Sequence, residues 1–152
     1  MGVNQRADIR MSEGEVKTFL EQRNSMSVAT LGADGGIHLV AMWYGFLDGL
    51  IAMETKTKSQ KALNLRRDPR ITVLVETGGS YTELRGVEVV GEVEFVEQPD
   101  RLFEIGKSVF SRYFQPYTED LRPQVEAVLH KRVGLVVHPT RIVSWDHSKL
   151  TM

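Results

Sequence analysis

Cationic and amide side chains gather where a predicted strand gives way to a predicted helix, in the segment TKTKSQKALNLRRDPR at residues 55–70. A helix N-terminus presents free backbone N–H groups and the positive end of the helix dipole, so an anion is stabilised there. Ser59 is placed either to cap this helix or to donate to a phosphate oxygen. The candidate ligands for a phosphate or carboxylate are Lys56, Lys58, Ser59, Lys61 and Asn64.

The same spacing also fits a plain amphipathic helix whose polar face is solvated. Helix faces rich in lysine and arginine are common on protein surfaces, so spacing alone favours this second interpretation.

The predicted strand at residues 37–46, IHLVAMWYGF, is apolar on both faces. Val40, Met42 and Tyr44 alternate with Leu39, Ala41 and Trp43. Such a strand is either a central strand buried on both sides, or an exposed strand of which one face meets a flat ligand or a partner subunit.

Composition narrows the function classes. The 152 residues predict one domain, residues 1–152, with a loose lead-in over residues 1–11. The net charge of −1 argues against nucleic acid as a main partner. The chain has no cysteine, which excludes disulfides and thiolate chemistry and fits a reducing cytoplasm. We expect no secretory signal, because the first 15 residues lack an apolar core, and no membrane-spanning segment.

Hydrophobic periodicity and turn residues predict short antiparallel strands with helices inserted between them. Ser12 and Glu15 form a capping box that begins the first helix. Residues 25–31, 37–46 and 50–55 predict a three-stranded meander. The further predicted strands are residues 71–76, 83–96 and 133–145, the last interrupted at Pro139, and the predicted helices are residues 12–23, 58–67, 99–115 and 123–132.

The sequence lacks the motifs of metal-dependent, nucleotide-hydrolysing and serine-hydrolase chemistry. The four histidines lack metal-binding spacing, so we expect no metal site. Neither a phosphate-binding P-loop nor a G-x-S-x-G nucleophile motif is present. We identify no catalytic acid; Tyr44, His38 and His147 are the candidates, with water as the alternative.

The order of these segments resembles the pyridoxamine 5′-phosphate oxidase-like superfamily of split β-barrel flavin-binding proteins. The resemblance runs from about residue 15 to residue 145 and includes T-x-x-x-S-x-K, a helix, D-P-R, a strand and RGVEVVGEVE. It implies a mostly β fold with helices, namely an antiparallel split barrel of about six strands with flanking helices.

The resemblance also implies a cofactor site. Residues 38–43 correspond to the strand that lines the flavin ring, with His38, Val40, Ala41, Met42 and Trp43 as contacts. Thr55 matches a threonine beside the phosphate. Residues 59–61 read Ser-Gln-Lys where flavin enzymes have Ser-Arg-Lys. Arg85 lies in the counterpart of an Arg-Gln-Val motif, although Gly86 replaces the flavin-contacting glutamine. Trp145 matches a tryptophan that a partner subunit usually contributes.

Departures from the pattern point to a particular branch. The true oxidases continue past the tryptophan into a substrate-binding Arg-x-His segment, whereas this chain reads WDHSKLTM. Pyridoxamine phosphate oxidation is therefore not expected. The lysine-rich cofactor segment resembles the actinobacterial branch that uses the deazaflavin coenzyme F-420, whose tail adds carboxylates to the phosphate.

We therefore expect a reductase that passes a hydride from F-420 to a conjugated organic substrate. The expected assembly is a homodimer with two sites at its interface. An FMN-dependent oxidoreductase and a non-catalytic flavin- or tetrapyrrole-binding protein remain as alternatives. Whether residues 99–132 form a lid stays open.

Overall fold

A computed structural model describes residues 4–150. Within this range, seven strands form one antiparallel sheet in the order β2-β1-β5-β6-β7-β4-β3, flanked by five helices. The strands are β1 (Met26–Leu31), β2 (Ile37–Met42), β3 (Gly45–Leu47), β4 (Leu50–Lys56), β5 (Arg70–Thr77), β6 (Arg85–Val96) and β7 (Arg132–Asp146). The helices are α1 (Gln5–Asp8), α2 (Glu13–Glu21), α3 (Gln60–Arg67), α4 (Pro99–Tyr113) and α5 (Arg122–Leu129).

The sheet curls so that its inner face encloses the main core. Side chains that alternate along β1, β5 and β6 meet there, among them Val28, Val73 and Val89. A smaller core lies between α4 and the outer side of β4 and β7, around Ile105 and Val136. This is the predicted split barrel with flanking helices, with seven strands where about six were expected.

The predicted meander is wrong in one place. Residues 37–46 do not form one strand, because the chain leaves β2 after Met42 and re-enters the sheet as β3 at the opposite edge. The helix α4 explains this crossing. Ser108 Oγ accepts from the Phe46 N–H at 2.9 Å, and the Arg112 guanidinium donates to the Tyr44 carbonyl at 2.8 Å, so α4 replaces ladder hydrogen bonds.

The alternative in which residues 37–46 are a buried central strand is also wrong. β2 is an edge strand, and one of its faces points outward with Ile37 74% and Leu39 68% exposed. The strand therefore leaves an apolar face uncovered in the single subunit.

The lead-in is more ordered than expected over its described part. α1 forms one helical turn, and the Ile9 carbonyl accepts from the Asp146 N–H at 2.7 Å. Met11 is buried in the main core. Residues 1–3 lie outside the described residues.

One helix boundary also differs. α5 ends at Leu129 because Lys131 has a positive φ of 57°, so the predicted extension to Arg132 is wrong. The last strand, β7, runs through Pro139 with an irregularity in its pairing there, as predicted. A bulge opposite Val90 and Gly91 accommodates the proline, which lacks a donor N–H.

Candidate functional site

The junction between β4 and α3 holds a compact group of polar side chains. Ser59 caps α3, accepting from the Ala62 N–H at 3.2 Å. Thr55 donates to Ser59 Oγ at 3.1 Å, and Lys61 Nζ donates to Thr55 Oγ1 at 3.0 Å. Two predicted phosphate ligands, Ser59 and Lys61, are thus hydrogen-bonded to Thr55, which was predicted to lie beside the phosphate. We call Thr55, Ser59 and Lys61 the junction triad.

Asn64 fixes α3 against the sheet. It is fully buried, and its amide donates to Thr30 Oγ1 at 3.1 Å while its carbonyl oxygen accepts from Gln60 Nε2 at 2.8 Å. Both atoms of the Asn64 amide are thus occupied by protein partners. Its position supports the junction triad instead of pointing a free group at a ligand.

With Glu54 ionised, the charges of Glu54, Arg132 and Lys61 sum to +1, before the exposed Lys56 and Lys58 are counted. Glu54 and Arg132 form an ion pair at 2.9 Å, and Lys61 adds a second cation close by. Burial lowers the pKa of Lys61, the nearby Arg132 cation lowers it further, and Glu54 opposes them. An anionic ligand bound here would favour the charged form of Lys61.

Lys56 and Lys58 lie beside the triad but are exposed. Neither side chain makes a hydrogen bond or ion pair to another described residue. Their positive charges can attract an extended anionic tail. Because both side chains are exposed, packing does not hold them in one position.

The ring-lining residues predicted on β2 do not all face the same way. His38, Val40 and Met42 are half-buried and pair with Thr30, Val28 and Met26 on the inner face of β1. Ala41 is exposed on the outer face, and Trp43 lies past the strand end. The six consecutive residues therefore cannot contact one face of a ring with their side chains alone.

His38 carries an unsatisfied atom. Its Nδ1 is buried and has no hydrogen-bond partner among the described residues. His38 is the cross-strand neighbour of Thr30, which accepts from Asn64. Buried polar atoms normally have partners, so a ligand group near α3 would explain this one.

Two adjoining cavities of about 250 and 300 Å³ lie beside Trp43 and share Trp43, Glu54, Val109 and Arg132. We call their union the Trp43 cleft. Ala41 and Met42 line its β2 side, and Phe110 and Phe114 line its α4 side. The cleft thus connects the predicted ring-lining strand to α4 and α5, which form its wall.

Aromatic contacts orient Trp43 at the mouth of the cleft. Its ring stacks on Tyr113 with a centroid distance of 4.9 Å and an interplanar angle of 5°, and Phe114 packs edge-on at 5.5 Å. The Tyr113 hydroxyl donates to the Asn24 carbonyl at 2.7 Å. This stack holds the Trp43 indole although the side chain is 48% exposed.

Sequence reasoning missed Glu54, Arg132, Tyr113 and Phe114. Glu54 had a detectable signal, since it is the one acidic residue in the otherwise apolar start of LIAMETK. The other three become neighbours only through the packing of α4 and of the start of β7, which no local pattern encodes.

Arg85 and Trp145 lie away from the junction triad within the subunit. Val133 is the cross-strand partner of Thr55, and Trp145 follows 12 residues later on β7, roughly 40 Å along the strand. The Trp145 ring lies against Gly86, where an added Cβ would sit 2.2 Å from Cζ2. Glycine at position 86 is thus required by the tryptophan ring.

Tyr44 does not fit the role of proton donor. It is fully buried, and its hydroxyl donates to the Leu20 carbonyl at 2.6 Å. Burial raises the pKa of Tyr44 to about 12, and the nearby Arg112 cation opposes this rise. His147 is bonded through Nδ1 to the Tyr81 carbonyl at 2.8 Å, at the Trp145 end of the sheet.

Over residues 4–150, no helix is long and apolar enough to cross a membrane. Within the same range, no three side chains of the His, Cys, Asp or Glu type cluster as a metal site would need.

Comparison with known proteins gives three kinds of result. A family model described as pyridoxamine 5′-phosphate oxidase matches residues 12–146. No curated protein sequence matches the chain.

Solved structures give closer relatives. The conserved hypothetical protein Rv2991 from Mycobacterium tuberculosis is 49% identical, with a TM-score of 0.94 over 99% of this chain and 95% of that chain. An F420 reductase is 30% identical, with a TM-score of 0.63 over 83% of this chain and 94% of its own. General stress protein 26 from Bacillus anthracis, at 16% identity and a TM-score of 0.62 over 95% of both chains, shares the fold alone.

Proposed function

Because the chain belongs to the pyridoxamine 5′-phosphate oxidase family, we propose that it is an oxidoreductase that uses coenzyme F-420 to reduce a conjugated organic substrate. The observation that carries this proposal is the junction triad, in which Lys61 is buried beside Thr55 and Ser59 with an excess positive charge. The 30% identical F420 reductase supports the choice of cofactor.

The junction triad is proposed to hold the cofactor phosphate. The Ser59 hydroxyl and the first free N–H groups of α3 can donate to phosphate oxygens, and Lys61 supplies a charge-assisted donor. Lys56 and Lys58 are proposed to attract the carboxylates of the tail. Asn64 keeps α3 in position through Thr30.

The residues of this chain fit such a group on two counts. The buried His38 Nδ1 lacks a partner, which a polar ring substituent could satisfy. The net positive charge around Lys61 would be neutralised by a phosphate. Val40, Ala41, Met42 and Trp43 are proposed to contact the ring through backbone and side chains from β2.

The bound deazaflavin would supply the hydride. The protein then has to orient the ring, hold the substrate against it and exclude water. The Trp43 cleft is suited to the second task, because aromatic and aliphatic side chains dominate its walls.

A homodimer is proposed to complete each site. The strand register places Leu39, Val143 and Trp145 on the same outer face of the sheet, since directly paired residues share a face. Val143 is 41% exposed and Leu39 is 68% exposed. A second copy packed on this face would cover it and could bring its Trp145 and Arg85 to the first copy's ring site.

Two rival functions are distinguishable. Two residues disfavour an FMN-dependent enzyme on this fold. Gln60 replaces an arginine, and its amide nitrogen donates to Asn64 Oδ1. Gly86 has no side chain to contact a flavin. A binding protein without turnover would share the site but not the reaction.

The test is a paired equilibrium titration of the purified protein with F-420, followed by fluorescence quenching, and with FMN, followed by absorbance. The proposal predicts saturable quenching of F-420 and at least tenfold weaker binding of FMN. Tighter FMN binding would favour the flavin enzyme. F-420 binding without oxidation of the reduced cofactor by a panel of enones and quinones would favour the binding protein.

A further inference from the structure

The Trp43 cleft contains one ion pair in an otherwise apolar and aromatic lining. Glu54 and Arg132 are its only charged lining residues within the described chain. The Glu54 side chain is 11% exposed and that of Arg132 is 29% exposed, with 2.9 Å between Nη1 and Oε2. Both reach into the space that a bound molecule would occupy.

Fold stability does not require this partly buried pair. Replacing a buried ion pair by apolar residues of similar volume is often neutral or stabilising, because desolvation offsets the attraction between the charges. Arg132 also begins β7 and could remain in solvent. A carboxyl group kept beside Trp43 and facing a ligand-sized cleft therefore calls for a chemical role.

Resting on the function proposed above, we propose that Glu54 is the catalytic acid that protonates a planar, conjugated carbonyl substrate bound in the Trp43 cleft. Glu54 precedes Thr55 on β4, so the two side chains point to opposite faces of the strand, yet the Lys61 cation of the junction triad still acts on the Glu54 carboxyl. The Trp43 cleft is also lined by Ala41 and Met42 of the proposed ring-contacting strand. Glu54 therefore lines the same cavity as residues proposed to contact the ring.

The substrate accepts a hydride from the reduced deazaflavin at one end of its conjugated system, which oxidises the cofactor by two electrons. The displaced π electron pair moves to the carbonyl oxygen at the other end, and this oxygen forms a bond to the Glu54 proton as the carboxyl O–H bond breaks. The resulting carboxylate is stabilised by Arg132 and regains its proton from water.

The charges around Glu54 support this assignment. Burial raises the pKa of Glu54, while Arg132 from β7 and Lys61 from α3 oppose the rise. The residues of α4 and α5 that line the cleft are uncharged. A carboxyl whose pKa is raised is a better proton donor at physiological pH than an exposed one.

The experiment uses the full chain and two glutamate variants. Glu54→Gln keeps the size of the side chain and a carbonyl oxygen for Arg132 but has no acidic proton. Glu54→Asp keeps the acid on a shorter side chain. Glu104→Gln, an exposed glutamate of α4 paired with Lys107, is the matched control.

The first readout is independent of turnover. ¹³C NMR of the glutamate carboxyls identifies the Glu54 signal by its loss in Glu54→Gln. We expect that signal to titrate above the other glutamates and to shift when menadione, a planar quinone, is added. The proposal is overturned if the Glu54 signal titrates with the exposed glutamates, or if its chemical shift does not change when menadione is added.

The second readout is oxidation of reduced F-420 with menadione between pH 5.5 and 9. We expect Glu54→Gln to bind F-420 within twofold of the wild type, to react roughly 100-fold more slowly or worse, and to lose the pH dependence. Glu54→Asp should keep part of the rate and the pH dependence. A wild-type rate and pH profile in Glu54→Gln overturns the acid role alone. Failure of the wild type to bind F-420 overturns the proposed function and this inference with it.

Discussion

Lys61 Nζ lies 3.0 Å from Thr55 Oγ1, although the lysine side chain is only 9% exposed. Thr55 ends the buried part of β4 and Lys61 lies in the first turn of α3, so this contact joins the two elements of the junction. A buried lysine whose closest partner is a neutral hydroxyl is costly unless an anion completes its coordination.

Replacing Lys61 by methionine should weaken F-420 binding while preserving the fold. Methionine keeps most of the buried aliphatic volume and removes the charge. We expect a loss of about 1–3 kcal/mol of binding free energy, because charge-assisted hydrogen bonds contribute on that scale. Isothermal titration calorimetry measures the change.

The exposed Lys58 provides the control for that variant. Lys58→Ala should lower affinity by less than Lys61→Met, and the loss should shrink as salt is raised, since exposed charges are screened. If Lys58→Ala lost as much affinity as Lys61→Met, or more, the phosphate would have to bind outside the junction triad.

A lysine at position 39 should dissociate the proposed dimer. Leu39 points outward from the edge strand β2 and is 68% exposed, and a buried unpaired charge is strongly unfavourable. Sedimentation velocity should show wild-type dimers and Leu39→Lys monomers with unchanged circular dichroism. Leu63→Lys, on α3 with 49% exposure, should remain dimeric. A wild type that sediments as a monomer at micromolar concentration is the opposing result.

Arg112 should stabilise the fold by holding together segments that are distant in sequence. Its guanidinium donates to the carbonyls of Leu20, Glu21 and Gln22 at the end of α2, at 3.0–3.2 Å, and to Tyr44 at 2.8 Å. We expect Arg112→Leu to lower the free energy of unfolding by about 1.5–3 kcal/mol, the scale of hydrogen bonds to charged groups.

Urea unfolding measures that difference. Arg70→Leu is the control, because Arg70 is exposed and pairs with Asp68 only two residues away. Equal losses in the two variants would show that the bridging contacts of Arg112 contribute nothing beyond an ordinary surface arginine.

The contribution of Glu15 to fold stability should be lost at acid pH. Its carboxylate accepts from Lys149 Nζ at 2.7 Å and from the Ser12 N–H at 3.0 Å, and these contacts lower the pKa of Glu15 from 4.5 to about 2. A lowered folded-state pKa means that the stabilisation is complete above pH 4.5 and is lost as the pH falls towards 2.

Melting temperatures measured from pH 2 to pH 7 test this expectation. Glu15→Gln should melt below the wild type at pH 7, and the two curves should converge towards pH 2. Glu21→Gln, at the other end of α2, is the control. Parallel curves for wild type and Glu15→Gln across the whole range would refute the linkage.

The sequence predicted those features that depend on neighbouring residues. The capping box of Ser12 and Glu15 is present as expected, because both residues act within one helical turn. The junction triad was also predictable, since its members lie within seven residues and the family resemblance marks them.

Long-range packing determined what the sequence did not predict. The apolar run at residues 37–46 contains no signal that β2 and β3 separate to opposite edges, because the cause lies on α4, in Ser108 and Arg112. Glu54 and Arg132 are 78 residues apart, and neither belongs to a local motif. The Trp43 cleft therefore emerged only from the folded chain.

The central claim is that the junction triad anchors the acidic end of F-420. A crystal structure of the protein with F-420 tests it most directly. We expect the phosphate within hydrogen-bonding distance of Ser59 Oγ and Lys61 Nζ, with the ring beside residues 40–43 and a second subunit's Trp145 nearby. A cofactor bound elsewhere, with Lys61 still bonded only to Thr55, would contradict it.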